Sequence, residues 1–382
     1  MAGWYDAGAL TEGTDDRGGS IGWGALRRSP ATVGLIAVCG VVFLATVGHC
    51  LAGSEDPWGA LIASSIGMNA CRASLELGGG LALPRVWVGG EWWRVVTAGF
   101  EHGSWVHFIL NMWSLWVVGP WAERCWGAWR VVALFCVSSA VGCLASVAWA
   151  EAPLVVGASA GIFGIAGALW VVRSVGEPSL RSRVDEISAR ALALMLGAMV
   201  ALGFVVPIVA QAGHLGGLAA GAWIGWLWSG RTAASMRAVG WVAVGAAMLG
   251  LGLVARAPTW RPGYHEYLGF WQLEEGDAEA ALRSLERALE AKPDDPSLQN
   301  AVAYELAEAG VHLDRADALV EAALEQEPEN PDYLDTQGWI LCRRGAPEEG
   351  LRIIERASEL SNHNIPEIEG HLDACPGAAI AE

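Results

Sequence analysis

Three polar constellations interrupt long apolar runs in this 382-residue sequence, and each carries residue types that handle protons or developing negative charge. The first is His102-Gly-Ser-Trp-Val-His107-Phe-Ile-Leu-Asn111. The second is Gly157-Ala-Ser159-Ala-Gly161-Ile-Phe-Gly164, and the third is Gly213-His214-Leu-Gly-Gly217-Leu-Ala-Ala-Gly221. A serine hydroxyl becomes a useful nucleophile when a base within hydrogen-bond reach takes its proton, and imidazole is well matched to that task near neutral pH. Acyl transfer also needs donors aimed at the oxyanion. The Ser159 backbone N–H, the Asn111 amide and the His107 ring N–H are the groups available for it. His107 and Asn111 lie four residues apart and share a helix face, whereas His102 is expected to point elsewhere from a loop. None of the three spans that carry these groups holds an acid to orient His214 as in a triad. Glu101 and Glu151 are the loop acids near enough in sequence, and a Ser–His dyad is the simpler arrangement. A Gly-x-Ser-x-Gly pattern also serves plain helix packing in membranes, and a histidine there also bonds a neighbouring carbonyl.

The elements that must hold these groups are helices long enough to cross a hydrocarbon core, roughly 20 residues each. Seven apolar runs qualify: Ala31–Leu51, Val106–Trp121, Val131–Trp149, Val155–Val172, Ala189–Ala210, His214–Trp228 and Val239–Val254. The second, fourth and sixth are shorter and richer in glycine, and they carry the polar groups. Glycines at 217, 221 and 225 form one stripe on the sixth run, and Gly161, Gly164 and Gly167 form another on the fourth. Two such stripes let backbones approach closely, which brings Ser159 toward His214. All the polar groups fall at one depth near the same face of the bundle, which unrelated packing residues would have little reason to do.

Charge divides the chain. Residues 1–260 hold 15 arginines and 14 acids, whereas residues 261–382 hold 9 basic residues and 27 acids, so the net charge of −17 belongs to the tail. A hydrophobic fraction of 53% and a mean hydropathy of +0.35 exclude a disordered chain and argue against a wholly soluble one. Arginines follow every second connection (Arg124 and Arg130, then Arg173 to Arg190, then Arg231 and Arg237), which predicts a cytoplasmic amino terminus. Tryptophans such as Trp87, Trp121, Trp126 and Trp226 at run ends suit an interfacial belt.

In this combination and order the sequence resembles the rhomboid intramembrane serine proteases. Trp93–Arg94, His102, His107-x-x-x-Asn111, Gly157-x-Ser159-x-Gly161 and His214-x-x-Gly217-x-x-x-Gly221 carry the resemblance over roughly residues 31–230. It implies a Ser159 nucleophile, a His214 base, and an oxyanion site of His107, Asn111 and Ser159. His102, Gly157, Gly161, Trp93, Arg94, Gly217 and Gly221 would support that site. The implied substrates are transmembrane proteins within the lipid bilayer, cut in or next to a helix, with no metal, cofactor or nucleic acid. Gly213 departs from the alanine common there but keeps a small residue. Two competing readings are a catalytically silent scaffold for transmembrane clients and a histidine-containing transporter.

The expected architecture is therefore all-α: a cytoplasmic segment 1–30, a six-span core 31–230, a seventh span within 231–260, and a repeat domain 261–382. That tail resembles tetratricopeptide repeats. Leu268–Gly269, Ala281, Leu285, Ala288 and Pro293 recur as Ala316, Val320, Ala323 and Pro328, and again as Gly338, Gly350, Ile354 and Ala357. Three units with a cap around Ile365–Leu372 form an α-solenoid that binds a protein or peptide, with a preference for basic partners. Seven spans would place it outside the cytoplasm of a bacterial inner membrane, and a peripheral seventh run would place it inside. On the outer side Cys50 and Cys71 are available to pair, as are Cys342 and Cys375 if the tail is external. Cys39, Cys125, Cys136 and Cys143 read as packing residues.

Overall fold

The computed structural model of the chain describes residues 28–54, 56–66, 71–149, 154–205 and 211–375. Most of the expected cytoplasmic segment, and Glu151, lie outside the described residues. Close contacts divide the chain into two compact units. The first comprises Met1–Leu81, Trp93–Ser146 and Leu154–Leu249, and the second Ala82–Trp92, Val147–Pro153 and Gly250–Glu382.

A helix falls on each of the seven apolar runs: α1 (Pro30–Ala52), α6 (Trp105–Trp126), α7 (Ala128–Trp149), α8 (Ser159–Val175), α10 (Ala189–Val205), α11 (Gln211–Leu227) and α12 (Ala234–Arg256). Among the described residues α1, α7 and α12 are long and apolar enough to cross a membrane, and α8 and Ala189–Ala201 are shorter apolar helices. Four short helices lie between α1 and α6, α2 (Pro57–Ile66), α3 (Arg72–Gly78), α4 (Leu83–Trp87) and α5 (Arg94–Thr97), and a fifth, α9 (Pro178–Arg181), lies between α8 and α10. A disulfide between Cys50 and Cys71 ties the end of α1 to the start of α3. The departure from an all-α chain is small: strands β1 (Leu81–Ala82) and β2 (Leu154–Val155) pair as a two-stranded ladder.

The amino end of α1 shows how the first unit meets its polar needs. The first N–H groups of a helix have no partner within it. Here the buried Glu123 carboxylate, near the end of α6, accepts hydrogen bonds from the Ala31 N–H (3.1 Å), the Thr32 N–H (2.7 Å) and the Thr32 hydroxyl (2.6 Å). An anion there also complements the helix dipole.

The second unit contains α4 and three helix pairs: α13 (Pro262–Glu274) with α14 (Ala278–Ala291), α15 (Pro296–Ala309) with α16 (Leu313–Gln326), and α17 (Pro331–Arg343) with α18 (Pro347–Leu360). The last helix, α19 (Pro366–Ala374), packs on α17 and α18. Small and branched side chains meet at full burial, among them Ala288, Val302, Ala316, Val320 and Ile354. Asp277 and Asp295 cap α14 and α15 through the Ala280 and Leu298 N–H groups. Cys342 and Cys375 form a second disulfide, while Cys39, Cys125, Cys136 and Cys143 stay free. Within this unit Trp87 of α4 meets the rings of Tyr264 and Tyr267 at centroid distances of 5.7 and 6.2 Å, and Arg261 donates to the Trp149 carbonyl at 2.6 Å.

Candidate active site

Ser159 opens α8, just after a turn that only a glycine suits. Gly157 has a φ of +126°, and a Cβ there would stand 2.7 Å from His107 Cε1. The Gly157 N–H donates to the Ala98 carbonyl at 3.0 Å, which fixes this turn to the segment leading into α6. Left-handed backbone and a ring at contact distance both exclude a side chain at this position.

His214 lies one turn into α11, and its Nε2 stands 2.8 Å from Ser159 Oγ. What brings the two helices together is a seam of bare backbone. A Cβ on Gly217 would overlap the Ala160 carbonyl, one on Gly221 would overlap the Gly164 backbone, and one on Gly225 would come 2.6 Å from Ala168 Cα. Both helices thus contribute every fourth residue, the spacing that keeps one helix face in register with another. The expected stripe on α8 is corrected at one position, Gly161. Gly164 is on the seam, but its companions are Ala160 and Ala168. Gly167 also faces α11, where a Cβ would stand 3.0 Å from the Leu218 carbonyl oxygen, whereas Gly161 is turned to the Phe135 ring of α7, 2.5 Å from a notional Cβ. The reason is periodic: on a 3.6-residue helix, residues 161 and 167 lie about 60° to either side of residue 164, whereas 160 and 168 lie only about 40° from it.

The ring of His214 stacks on Phe163, centroids 4.5 Å apart and planes 11° from parallel. Its Nδ1 is buried and has no hydrogen-bond partner among the described residues. Glu101, one of the two loop acids considered for it, accepts a bond from the Thr46 hydroxyl instead, at 2.9 Å. Among the described residues, Ser159 and His214 thus meet without a third, acidic partner.

His107 comes within reach of the same place, since its ring and Ser159 Oγ flank the space beside Gly157. Asn111 is 6% exposed and donates from Nδ2 to the His107 carbonyl at 2.9 Å. A carboxamide nitrogen carries two hydrogens, so one remains for another acceptor. His102 sits in the loop before α6, as expected, but it does not point away. Its ring packs 5.4 Å from that of His107 and edge-on to Phe108, while Nδ1 lies 3.2 Å from the Phe100 carbonyl. A carbonyl only accepts, so the proton of the neutral ring is on Nδ1. Trp93 and Arg94 stand apart from the dyad. Arg94 is 2% exposed, donates to the Glu76 and Gly80 carbonyls at 2.5 and 2.8 Å, and lies 4.5 Å from the Trp93 ring centroid. It braces the loop from within.

Sequence reasoning did not single out Phe163 or Glu123. The signal for the first was there, because residue 163 follows Ser159 by one helical turn and must face whatever Ser159 faces. Nothing local marked Glu123, whose partners are about 90 residues away in sequence.

Residues 89–231 match the Rhomboid domain. The chain is 30% identical over 154 residues to RHOMBOID-like protein 4 of Arabidopsis thaliana, covering 40% of this chain and 38% of that protein. It is 32% identical over 132 residues to Rhomboid protease GluP of Bacillus subtilis (strain 168), covering 35% of this chain and 25% of that protein. Inactive RHOMBOID-like protein 8 of Arabidopsis thaliana is 29% identical over 97 residues, 25% of this chain and 28% of that protein. The chain thus spans well under half the length of these three relatives. Together with the apolar helices, these matches support an integral membrane protein that contains a Rhomboid domain.

Proposed function

We propose that this rhomboid-domain chain is an intramembrane serine endopeptidase that hydrolyses peptide bonds in or next to transmembrane helices of other membrane proteins. The observation that carries the reading is the 2.8 Å approach of His214 Nε2 to Ser159 Oγ. His214 Nε2 takes the hydroxyl proton as Oγ attacks the scissile carbonyl carbon. The carbonyl oxygen becomes an oxyanion and receives hydrogen bonds from the Ser159 N–H, the free Asn111 hydrogen and the His107 ring. Collapse of the intermediate breaks the C–N bond, and the imidazolium gives its proton to the leaving amine. Water then attacks the acyl ester, passing its proton to His214, and serine is released. Stacking on Phe163 and the glycine seam keep the imidazole aligned through both halves, as a positioned base requires.

The test is cleavage of a transmembrane substrate carrying a helix-destabilising segment, by wild type, Ser159→Ala and His214→Ala. Loss of cleavage in both variants, with fluorophosphonate labelling lost in Ser159→Ala, is expected. Unchanged cleavage in either variant would sink the dyad. A second reading is a silent scaffold that holds transmembrane clients, since one relative of similar identity is named inactive. In that case the wild type would retain a client but would not label.

We also propose that α13 to α19 form three tetratricopeptide-like units with a cap, serving to bind a protein. The chain would cross a bacterial inner membrane seven times with its amino terminus in the cytoplasm and this array outside. Two disulfides, Cys50–Cys71 and Cys342–Cys375, favour an oxidising compartment for both regions. A reporter fused after residue 382 tests the placement, and cytoplasmic activity of the reporter would overturn it.

A further inference from the structure

The last helix is fastened to the pairs before it by unusually specific chemistry. His371 of α19 stacks on the Trp339 indole of α17, centroids 4.5 Å apart and planes 15° from parallel. Its Nδ1 lies 2.8 Å from Asp335 Oδ2, and its Nε2 lies 3.9 Å from Glu308 Oε1 of α15. Glu367, at the start of α19, accepts a hydrogen bond from Tyr304 of α15 at 2.7 Å, and Cys375 just past the helix is bonded to Cys342.

The fit is incomplete. Asp335 is 4% exposed, yet its Oδ1 has no hydrogen-bond partner among the described residues. A buried carboxylate oxygen without a donor is costly. An imidazole cannot cure this, because its two nitrogens point to different sides and only one reaches the carboxylate. A guanidinium can. It presents parallel N–H donors at the spacing of the two carboxylate oxygens, and its flat face stacks on indole. The charges facing the place also suit a cation: Asp332 and Asp335 on α17, Glu308 on α15, and Glu367 on α19. Arg343, the nearby cation, is engaged with the Ala307 and Glu308 carbonyls.

We infer that Asp335 and Trp339 form a receptor for an arginine side chain of a partner peptide, and that α19 is its resident competitor, seated there through His371. This deepens the reading of α13 to α19 as a protein-binding module and is independent of the protease chemistry. The chain itself and the disulfide hold the competitor at high effective concentration, so a peptide in solution binds the wild type weakly.

The test uses the full chain in detergent, carrying His371→Ala with Cys375→Ser, and two fluorescein-labelled peptides of residues 361–375 with Cys375→Ser. One probe has His371→Arg and the other His371→Ala. At least tenfold tighter binding of the arginine probe is expected, with the preference erased by Asp335→Asn. Equal binding of the two probes, or a preference that survives Asp335→Asn, overturns the inference. The single variant Cys375→Ser leaves His371 in place and carries the same comparison if the double variant does not melt cooperatively. A protein partner captured equally by wild type and Asp335→Asn would keep the binding-module reading and still overturn the arginine site.

Discussion

The side chains of Phe163 and Ser159 act on His214 from one helix face: Ser159 meets an edge of the imidazole at 2.8 Å, and Phe163 lies under its plane at 4.5 Å. The two residues are four apart, so α8 alone fixes both the position and the tilt of the proposed base. Aromatic pairs contribute about 0.5–1.5 kcal/mol beyond their burial. Replacing Phe163 with Leu should therefore lower kcat roughly fivefold to tenfold with KM little changed, while Phe163→Tyr should keep most of the rate. Steady-state cleavage of a transmembrane substrate measures both parameters, and a change confined to KM would contradict the positioning role.

The glycine seam makes a stability prediction. Gly221→Ala puts a methyl group into the Gly164 backbone, and overpacking of this kind costs roughly 1–3 kcal/mol. Its melting temperature in detergent should fall, and fluorophosphonate labelling of Ser159 should fall with it as α11 shifts. Gly250→Ala, where nothing lies within 4 Å, should leave both unchanged.

Removing the Glu123 carboxylate should be expensive for α1. Glu123→Ala strands two backbone donors and the Thr32 hydroxyl, at a cost of about 1–3 kcal/mol for a buried unsatisfied group. Thr32→Val loses the hydroxyl but keeps both backbone bonds, so its loss should be smaller. Thermal unfolding of the two variants gives the ranking, and the reverse order would remove Glu123 as the principal cap.

Proton linkage at α19 has a definite sign. Burial alone would lower the affinity of His371 for a proton, but the hydrogen bond and charge of Asp335, aided by Glu308 and Glu367, raise it above the ordinary histidine value. Burial also raises Asp335. A group that binds protons more tightly when folded stabilises the fold most at low pH and loses that contribution as pH rises through its folded value. Amide exchange in Pro366–Ala374, normalised for its intrinsic rate, should thus be slower at pH 5.5 than at pH 8. His371→Gln should flatten the difference, and a steeper dependence in that variant would be incompatible with this assignment.

Much of the helical plan was legible because hydrocarbon-length apolar runs have few alternatives. The ends were less so. The run Val155–Val172 reads as continuous, but β2 and the left-handed Gly157 take up its start, so the helix begins at Ser159. The run ending at Trp121 continues to Trp126 because Glu123 is buried as a cap. The candidate site residues stood out by spacing, since Ser159, His107 and Asn111 sit in local patterns. Several long-range contacts did not. Glu123 with Thr32, and His371 with Asp335, are pairings of distant chain segments that no local periodicity encodes. The outer-loop helices α2 to α5 escaped for a related reason: they are too short to establish a period.

The seam between α8 and α11 also has a genetic consequence. Every missense change available from a glycine codon by a single base substitution introduces a Cβ, and at positions 217 and 221 a Cβ of any kind collides with backbone. No residue type offers a partial remedy there, as valine does for isoleucine in a core. These two codons therefore have synonymous variation as their sole neutral route. In a saturation mutagenesis library scored for folded protein, they should appear as blank columns beside the freely varying codons of Gly245, Gly250 and Gly252 in α12.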